Sequence, residues 1–159
     1  MAKIAVYAGS FDPFTNGHLS IVKEAAEIFD KVYICIAVNA NKQRFTSQDA
    51  MKMAISKCLQ NNGLNNCIVI GWSGLVAEAC RKLDAKYLIR GLRGTSDYLY
   101  EETIAKINKE INPDLKTVYF RAENDVVSSS LVRELLKYEK KIDKYVPEDV
   151  LSVLQECNI

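Results

Sequence analysis

The sequence has little of what marks several large classes of protein. Lys and Arg total 21 against 20 Asp and Glu, and the formal charge is only +1. The chain therefore lacks the positive excess with which proteins hold a nucleic-acid backbone or an anionic membrane. No apolar run approaches the ~20 residues that span a bilayer. The apolar run among the first residues is too short for a signal peptide. We expect a cytoplasmic protein that binds neither nucleic acid nor membrane.

Cysteine is too sparse to build a cross-linked framework. The five cysteines are odd in number, widely spaced and without a C-x-x-C pair. The sequence thus predicts neither a set of disulfides nor a zinc site. We expect the cysteines to be small buried side chains in a reducing compartment. The 159 residues, 48% of them hydrophobic, suffice for one core, and we predict a single domain over residues 1–159.

Short apolar segments of strand length alternate along the chain with longer segments of helical period. The predicted strands are residues 4–8, 32–38, 67–71, 87–89 and 117–120. Helical spacing of apolar residues follows Gly17 and recurs over residues 100–111, Thr46 is predicted to begin a helix through Leu59, and Pro147 to begin a last helix. This alternation predicts an α/β fold with an open five-stranded parallel sheet and helices on both faces.

Polar and cationic side chains follow four of the predicted strands. They lie at residues 9–18, 39–42, 90–94 and 128–133. In an open parallel sheet ligands bind beyond the carboxyl ends of the strands, so these segments are expected to meet at one edge. Together they supply an imidazole, an ammonium, guanidinium groups, several hydroxyls and two helix N-termini, with few carboxylates. Such a set predicts a site for anions and favours phosphates.

Each of these groups also has an ordinary structural explanation. The only histidine, His18, lies in the first turn of a predicted helix, where the helix dipole and free amides already favour an anion. Taken by itself, Lys42 would be interpreted as a solvated surface lysine. Arg90 and Arg93 bring two rigid guanidinium groups close together, which suits an anionic ligand better than a bare surface. One of the serines at 128–130 is expected to cap a helix. The ordinary explanations do not account for all of these groups occurring at strand ends.

The motifs resemble those of the bacterial phosphopantetheine adenylyltransferases, within the nucleotidyltransferase superfamily. Gly9-Ser10-Phe11-Asp12-Pro13 followed by Thr15-Asn16-Gly17-His18 is similar to the Thr-x-Gly-His signature of the superfamily. Ile89-Arg90-Gly91-Leu92-Arg93 and Ser128-Ser129-Ser130-Leu131-Val132-Arg133 narrow the resemblance to this family, over nearly the whole chain. The resemblance implies a Rossmann-like fold and transfer of AMP from ATP to 4′-phosphopantetheine, giving dephospho-coenzyme A and pyrophosphate.

Position by position, the resemblance implies which residues bind each substrate. Phosphopantetheine would be bound by Ser10, Lys42, Val76 and Arg90. ATP would be bound by Ser10, Phe11, His18, Gly91, Leu92, Arg93, Glu101, Asn124, Asp125, Val126, Val127, Ser128, Ser129 and Ser130. Residues 124–127 lack the aromatic side chain that many members carry near the adenine. For catalysis our hypothesis is that His18 and Lys42 donate to the α-phosphate while Arg93 and Ser129 hold the departing phosphates.

The resemblance also implies dependence on Mg²⁺ and a homohexamer. Because no cluster of Asp and Glu occurs in these segments, we expect Mg²⁺ to arrive bound to the nucleotide and no metal site on the protein. Two alternatives stay open. One is another nucleotidyltransferase, such as an enzyme acting on nicotinamide mononucleotide, and the other is a nucleotide-binding regulator without turnover. Fold alone does not separate them.

Overall fold

Strands and helices alternate in the computed structural model, which describes residues 1–122 and 127–157. The strands are β1 (Ile4–Gly9), β2 (Lys31–Val38), β3 (Cys67–Ser73), β4 (Tyr87–Leu92) and β5 (Lys116–Arg121). The helices are α1 (Asn16–Ile28), α2 (Gln48–Asn61), α3 (Val76–Lys82), α4 (Thr95–Ile111), α5 (Ser129–Lys137) and α6 (Glu148–Cys157). Every predicted strand is present and extends a little beyond its predicted limits.

All five strands run parallel, in the order β3-β2-β1-β4-β5 across one sheet. The register places Ala8 of β1 beside Cys35 of β2, and Tyr7 beside Ile89 of β4. The direction of the strand order reverses between β1 and β4, which are neighbours in the sheet. Ligands of such sheets bind in the crevice beyond the carboxyl ends of the strands at this reversal. The predicted open parallel sheet is confirmed, and its reversal points to the segments that follow β1 and β4.

Helices cover both faces of the sheet, and alternate side chains of each strand enter two separate cores. Along β1, Ala5 and Tyr7 enter a large core with α1, α2, α5 and α6. Val6 and Ala8 enter a smaller core, where α3 packs and the end of α4 contributes Ile111. Because both faces of β1 and β2 are buried, these strands are apolar almost without interruption.

The helix starts agree with the sequence predictions to different degrees. The N-cap of α2 is Ser47, whose hydroxyl accepts a hydrogen bond from the Ala50 N–H at 3.1 Å. The prediction that Thr46 opens this helix is wrong by one residue, because the Thr46 hydroxyl instead donates to Asp12 at 2.7 Å. Helix α6 begins directly after Pro147, as predicted. Helix α3 was not predicted, since it is only seven residues long and has no side-chain hydrogen bond at its N-cap.

Four of the five cysteines are buried, namely Cys35, Cys58, Cys67 and Cys80. Burial raises the pKa of Cys35 to about 11, so this thiol stays protonated at neutral pH. The expectation of burial is wrong for Cys157, which ends α6 and is exposed. Within residues 1–122 and 127–157, none of the helices has both the length and the apolar character that crossing a bilayer requires.

Candidate active site

A cavity of about 360 Å³ lies beyond the carboxyl ends of β1 and β4. Three of the four predicted segments meet there, namely those after β1, after β4 and at the start of α5. The predicted site residues that line it are Ser10, Phe11, His18, Arg90, Gly91, Arg93, Glu101, Val127, Ser128, Ser129 and Ser130. The reversal of strand order thus gathers most of the residues that the sequence nominates.

His18 is held in this cavity by two reciprocal hydrogen bonds with Thr15, the N-cap of α1. The Thr15 hydroxyl accepts from the His18 backbone N–H at 3.3 Å, and His18 Nδ1 accepts from the Thr15 backbone N–H at 2.9 Å. This is a capping box in which histidine takes the place of the usual Glu or Gln. Because a backbone N–H can only donate, Nδ1 carries no proton, and the proton of the neutral ring lies on Nε2.

The imidazole is packed among aromatic rings, and its surroundings keep it neutral. Its centroid lies 4.9 Å from that of Phe11, which meets it edge-on, and 5.5 Å from that of Phe14. Burial and, after it, the positive charges of Arg93 and Arg90 lower the pKa of His18 to about 3. At neutral pH the ring is therefore a neutral Nε2–H donor. An anion bound between the ring and the arginines would raise this pKa, since opposite charge favours the protonated form.

Arg90, near the end of β4, is fixed by three hydrogen bonds. Its Nε and Nη2 donate to the two carboxylate oxygens of Glu101, each at 2.8 Å, and its Nη1 donates to the Ala8 carbonyl at 2.7 Å. Glu101, on α4, is 7% exposed. Burial acts to lower the pKa of Arg90, but the hydrogen bonds and charge of Glu101 outweigh it and hold the pKa above its ordinary value. Among residues 1–122 and 127–157 no acceptor takes the second hydrogens of Nη1 and Nη2, which can donate to a ligand.

Arg93 is held more loosely at the rim of the cavity. Its Nε donates to Asp97 at 3.4 Å, and its side chain is 45% exposed. An exposed pair of this kind contributes at most about 1 kcal/mol to stability. Arg93 therefore retains the freedom to turn toward a ligand.

The three serines at the start of α5 have three different partners. Ser128 is the predicted N-cap, and its hydroxyl accepts from the Leu131 N–H at 3.1 Å. The Ser129 hydroxyl donates to the Pro13 carbonyl at 2.7 Å, and the Ser130 hydroxyl accepts from Arg133 at 3.3 Å. Backbone N–H groups in the first turn of a helix have no carbonyl partner within that helix, so this end of the cavity suits an anion.

The remaining predicted site residues do not line this cavity. Lys42 lines a neighbouring groove of about 680 Å³, which shares Ser10 with the cavity. Val76, the first residue of α3, packs against the smaller core, and Leu92 ends β4. Asn124, Asp125 and Val126 lie outside the described residues. The substrate-binding roles implied for these residues stay predictions.

Sequence reasoning missed three residues beside the cavity. Tyr7 is 4% exposed and lines it, and burial raises the pKa of its phenol more than the charge of Arg90 lowers it. Asp12 and Arg44 join the loop after β1 to the segment before α2. Tyr7 was missed because it lies within a buried strand, where an aromatic side chain is expected to belong to the hydrophobic core. The contacts of Asp12 with Thr46 and of Arg44 with Ser10 show no local pattern, because each joins residues more than thirty positions apart along the chain.

The carboxylates around the cavity already have cationic or N–H partners. Glu101 accepts from Arg90, Asp97 accepts from Arg93, and Asp12 accepts from the Thr46 N–H at 2.8 Å. Across residues 1–122 and 127–157, no group of three or more His, Cys, Asp or Glu side chains is arranged to hold a metal ion. This donor set fits a metal ion that is carried by the phosphates of a nucleotide.

The fold and this cavity define a class of protein. Residues 6–135 match the family described as Cytidylyltransferase-like. A solved structure of a putative nicotinate-nucleotide adenylyltransferase from Vibrio parahaemolyticus shares the fold, with a TM-score of 0.71. The structural match covers 98% of this chain and 93% of the Vibrio parahaemolyticus chain, at 18% sequence identity. The class is that of the cytidylyltransferase-like nucleotidyltransferases.

Relatives of higher identity specify the family. Over 155 residues the chain is 41% identical to the phosphopantetheine adenylyltransferase of Streptococcus pneumoniae (strain CGSP14), which spans 96% of this chain and 95% of that protein. It is 40% identical, with the same coverage, to the phosphopantetheine adenylyltransferase of Streptococcus pneumoniae (strain 70585). The chain belongs to the phosphopantetheine adenylyltransferase family, and the resemblance seen in its motifs is confirmed.

Proposed function

We propose that this chain transfers the adenylyl group of ATP to 4′-phosphopantetheine, giving dephospho-coenzyme A and pyrophosphate. One observation carries the proposal: a neutral imidazole donor, two arginines and a helix N-terminus line a single cavity at the reversal of the sheet. Donors of this kind suit several phosphoryl groups held side by side. The names of the Streptococcus pneumoniae relatives support phosphopantetheine as the acceptor.

In the proposed reaction an oxygen of the acceptor phosphate attacks the α-phosphorus of ATP. The bond from that phosphorus to the oxygen bridging it to the β-phosphate breaks, and its electron pair leaves with pyrophosphate. The acceptor phosphate is already anionic near neutral pH, so it needs no activation by a general base. The protein accelerates the reaction by positioning the substrates and compensating their charge. His18 Nε2–H donates to the α-phosphate as negative charge grows on its oxygens. Lys42, from the adjoining groove, supplies a second donor there.

The remaining donors are assigned by how firmly they are held. Arg90, fixed by Glu101 and Ala8, suits the acceptor phosphate, whose oxygen must be aligned for attack. Ser10, shared by the cavity and the groove, holds the same phosphate in line. Arg93 and the start of α5 at Ser129 hold the departing phosphates. The Ser129 hydroxyl proton is engaged by Pro13, so Ser129 acts first through its backbone N–H.

ATP is proposed to enter as its magnesium complex. The ion would be held by phosphate oxygens and water, as Mg²⁺ usually is in sites of this kind. The engagement of Glu101, Asp97 and Asp12 with protein donors supports this arrangement. When bound, Mg²⁺ neutralises part of the charge on the phosphates.

A homohexamer in the cytoplasm is also part of the proposal, and it rests on the family resemblance. Helix α4 exposes large apolar side chains that suit contact between copies of the chain. Leu99 is 66% exposed, Tyr100 67% and Ile107 51%. Light scattering is expected to give about six times the chain mass, and a monomer would contradict the assembly.

Release of pyrophosphate with ATP and 4′-phosphopantetheine tests the proposed function. ATP labelled in its α-phosphate is offered with phosphopantetheine or with nicotinamide mononucleotide, and label is expected on phosphopantetheine with pyrophosphate in equal amount. Label on the mononucleotide alone would overturn the choice of acceptor. Binding of ATP without pyrophosphate release on any acceptor would instead show a regulator. His18→Ala supplies the background rate.

A further inference from the structure

We infer that Arg44 is a positioning residue, which holds the loop after β1 so that the backbone N–H of Phe11 is directed at the transferring phosphate. The inference rests on the proposed function, because it concerns the same cavity. Arg44 lies in the segment before α2 and lines the groove beside the cavity. Its side chain is only 14% exposed, although it is in a loop. That burial is unusual for a loop arginine and reflects the bonds it makes.

The guanidinium of Arg44 holds two successive carbonyls of the loop after β1. Its Nη1 donates to the Ser10 carbonyl at 2.6 Å, and its Nη2 donates to the Phe11 carbonyl at 3.5 Å. Its Nε donates to the Thr46 carbonyl at 2.9 Å, which anchors the guanidinium to its own segment. Only the planar fork of arginine can reach all three acceptors, since an ammonium is a single point of charge.

Asp12 joins the same two segments, and its Oδ1 lies 3.8 Å from Nη2 of Arg44. Its carboxylate accepts from the Phe45 N–H at 2.6 Å and from the Thr46 N–H at 2.8 Å. Arg133, on α5, donates to the Asp12 carbonyl at 2.6 Å. The carbonyls of three successive loop residues are therefore all held by guanidinium groups.

The conformation held in this way is one that the loop would not adopt by itself. Phe11 has a φ of 44°, in the left-handed region, which is unfavourable for a residue other than glycine. The Phe11 ring is 2% exposed and lies edge-on against His18. Packing of the ring and the bonds from Arg44 together offset this strain.

Holding the carbonyls also orients the N–H groups. In a trans peptide group the C=O and N–H point in opposite directions, so Arg44 turns the N–H groups of Phe11 and Asp12 away from itself. Phe11 lines the cavity, Arg44 and Asp12 line the groove, and Ser10 lines both. Neither N–H donates to a backbone carbonyl among residues 1–122 and 127–157. The N–H of Phe11, the residue that lines the cavity, is therefore a donor for a phosphoryl oxygen, and Arg44 sets its direction.

Steady-state kinetics of Arg44→Ala and Arg44→Lys test the inference. Because the Phe11 N–H acts on charge that grows in the transition state, R44A is expected to lower kcat by about 10–100-fold, with KM for ATP changed less than about threefold. R44K is expected to lose nearly as much, since it keeps the charge but not the fork. The matched control is Arg81→Ala. The guanidinium of Arg81 also donates to a backbone carbonyl, that of Ile111, but Arg81 lies away from the cavity.

Added guanidinium separates positioning from folding. Guanidinium chloride at millimolar concentration, far below denaturing levels, is expected to restore kcat of R44A several-fold, whereas the same concentration of sodium chloride does not. Unchanged kcat in R44A overturns the inference, as does failure of guanidinium to restore a folded R44A. Loss of the folded state in both R44A and R44K, seen by circular dichroism, would make Arg44 a residue of the fold and also overturn it. Activity of the unsubstituted protein tests the proposed function separately.

Discussion

The inner part of the cavity and its rim hold their donors in different ways. Inside, His18 is fixed by Thr15, and Arg90 is fixed by both oxygens of Glu101. At the rim, the Arg93 side chain is held by a long hydrogen bond from its Nε to Asp97, at 3.4 Å. The exposed fraction of the side chain is 26% for Arg90 and 45% for Arg93.

This difference separates two kinds of contribution to one reaction. A donor that is fixed before the substrate arrives needs no reorganisation when charge develops, so it acts on the transition state. A mobile cation attracts an anionic ligand and guides its approach, but its side chain must be ordered on binding. We therefore expect changes in the inner part to lower kcat or stability, and changes at the rim to alter KM for ATP.

The largest effect is expected from His18→Ala. Loss of a donor that acts mainly in the transition state costs about 2.7–4 kcal/mol, which lowers kcat by about 10²–10³-fold. His18→Gln, whose amide N–H₂ can replace Nε2–H, is the matched control and is expected to keep more activity. Both variants should fold, as circular dichroism can show. Near-normal turnover of H18A with both substrates saturating would remove the imidazole from catalysis.

Glu101→Ala is expected to have the next largest effect. The partly buried guanidinium of Arg90 would lose two hydrogen bonds, at a cost of about 1–3 kcal/mol in unfolding free energy. KM for phosphopantetheine is expected to rise about tenfold as Arg90 loses its orientation. Urea unfolding and initial rates measure the two effects. Glu101→Gln keeps one acceptor and should lie between E101A and the parent. If neither quantity changes in E101A, Arg90 does not depend on Glu101 for its position.

A smaller effect is expected from Arg93→Gln at the rim. KM for ATP should rise by about 3–10-fold, while the unfolding free energy stays within about 0.5 kcal/mol because the pair with Asp97 is exposed. The salt dependence of kcat/KM should weaken as well, since one exposed cation is lost. A large fall in kcat with unchanged KM would place Arg93 with the inner group and remove the distinction between the two regions.

The fold could be predicted because its sequence signals are local. Burial of both faces makes β1 and β2 apolar throughout, and the alternation with helical segments dictates a parallel sheet. The lack of a side chain at Gly91 leaves room for α1, since a Cβ there would lie 2.7 Å from the Ile21 side chain. Thr46 and Ser47 offer equal cap signals, and the burial of Thr46 against Asp12 decides between them.

The sequence predicts where the candidate site lies, but it does not predict the hydrogen bonds and ion pairs that hold the site residues in place. Parallel strands end at one edge, so the segments holding His18, Arg90 and the serines had to meet there. The pairing of Arg90 with Glu101, and of Arg44 with Ser10, depends on how separate elements pack, and no local pattern encodes it. For the same reason the sequence names Lys42 but does not show that it faces an adjoining groove.

Acid pH acts on the inner part of the cavity through the partly buried imidazole of His18. Burial lowers the pKa of His18 from its ordinary value of 6.5 to about 3. Between these values the unfolded chain binds a proton that the folded protein does not, so stability falls as the pH falls. The contribution of the neutral ring is complete above about pH 6.5. It is expected to decrease by about 1 kcal/mol between pH 7 and pH 5.5.

Urea unfolding of the parent and of His18→Gln at the two pH values isolates this contribution, since all other titrating groups are common to both proteins. The parent should lose about 1 kcal/mol more than H18Q on acidification. Arg93→Gln should lose as much as the parent, because burial is the larger cause of the lowered pKa and the charge of Arg93 only the second. An equal loss in the parent and H18Q would mean that the folded protein takes up the proton, and that the Thr15 N–H does not keep Nδ1 as an acceptor.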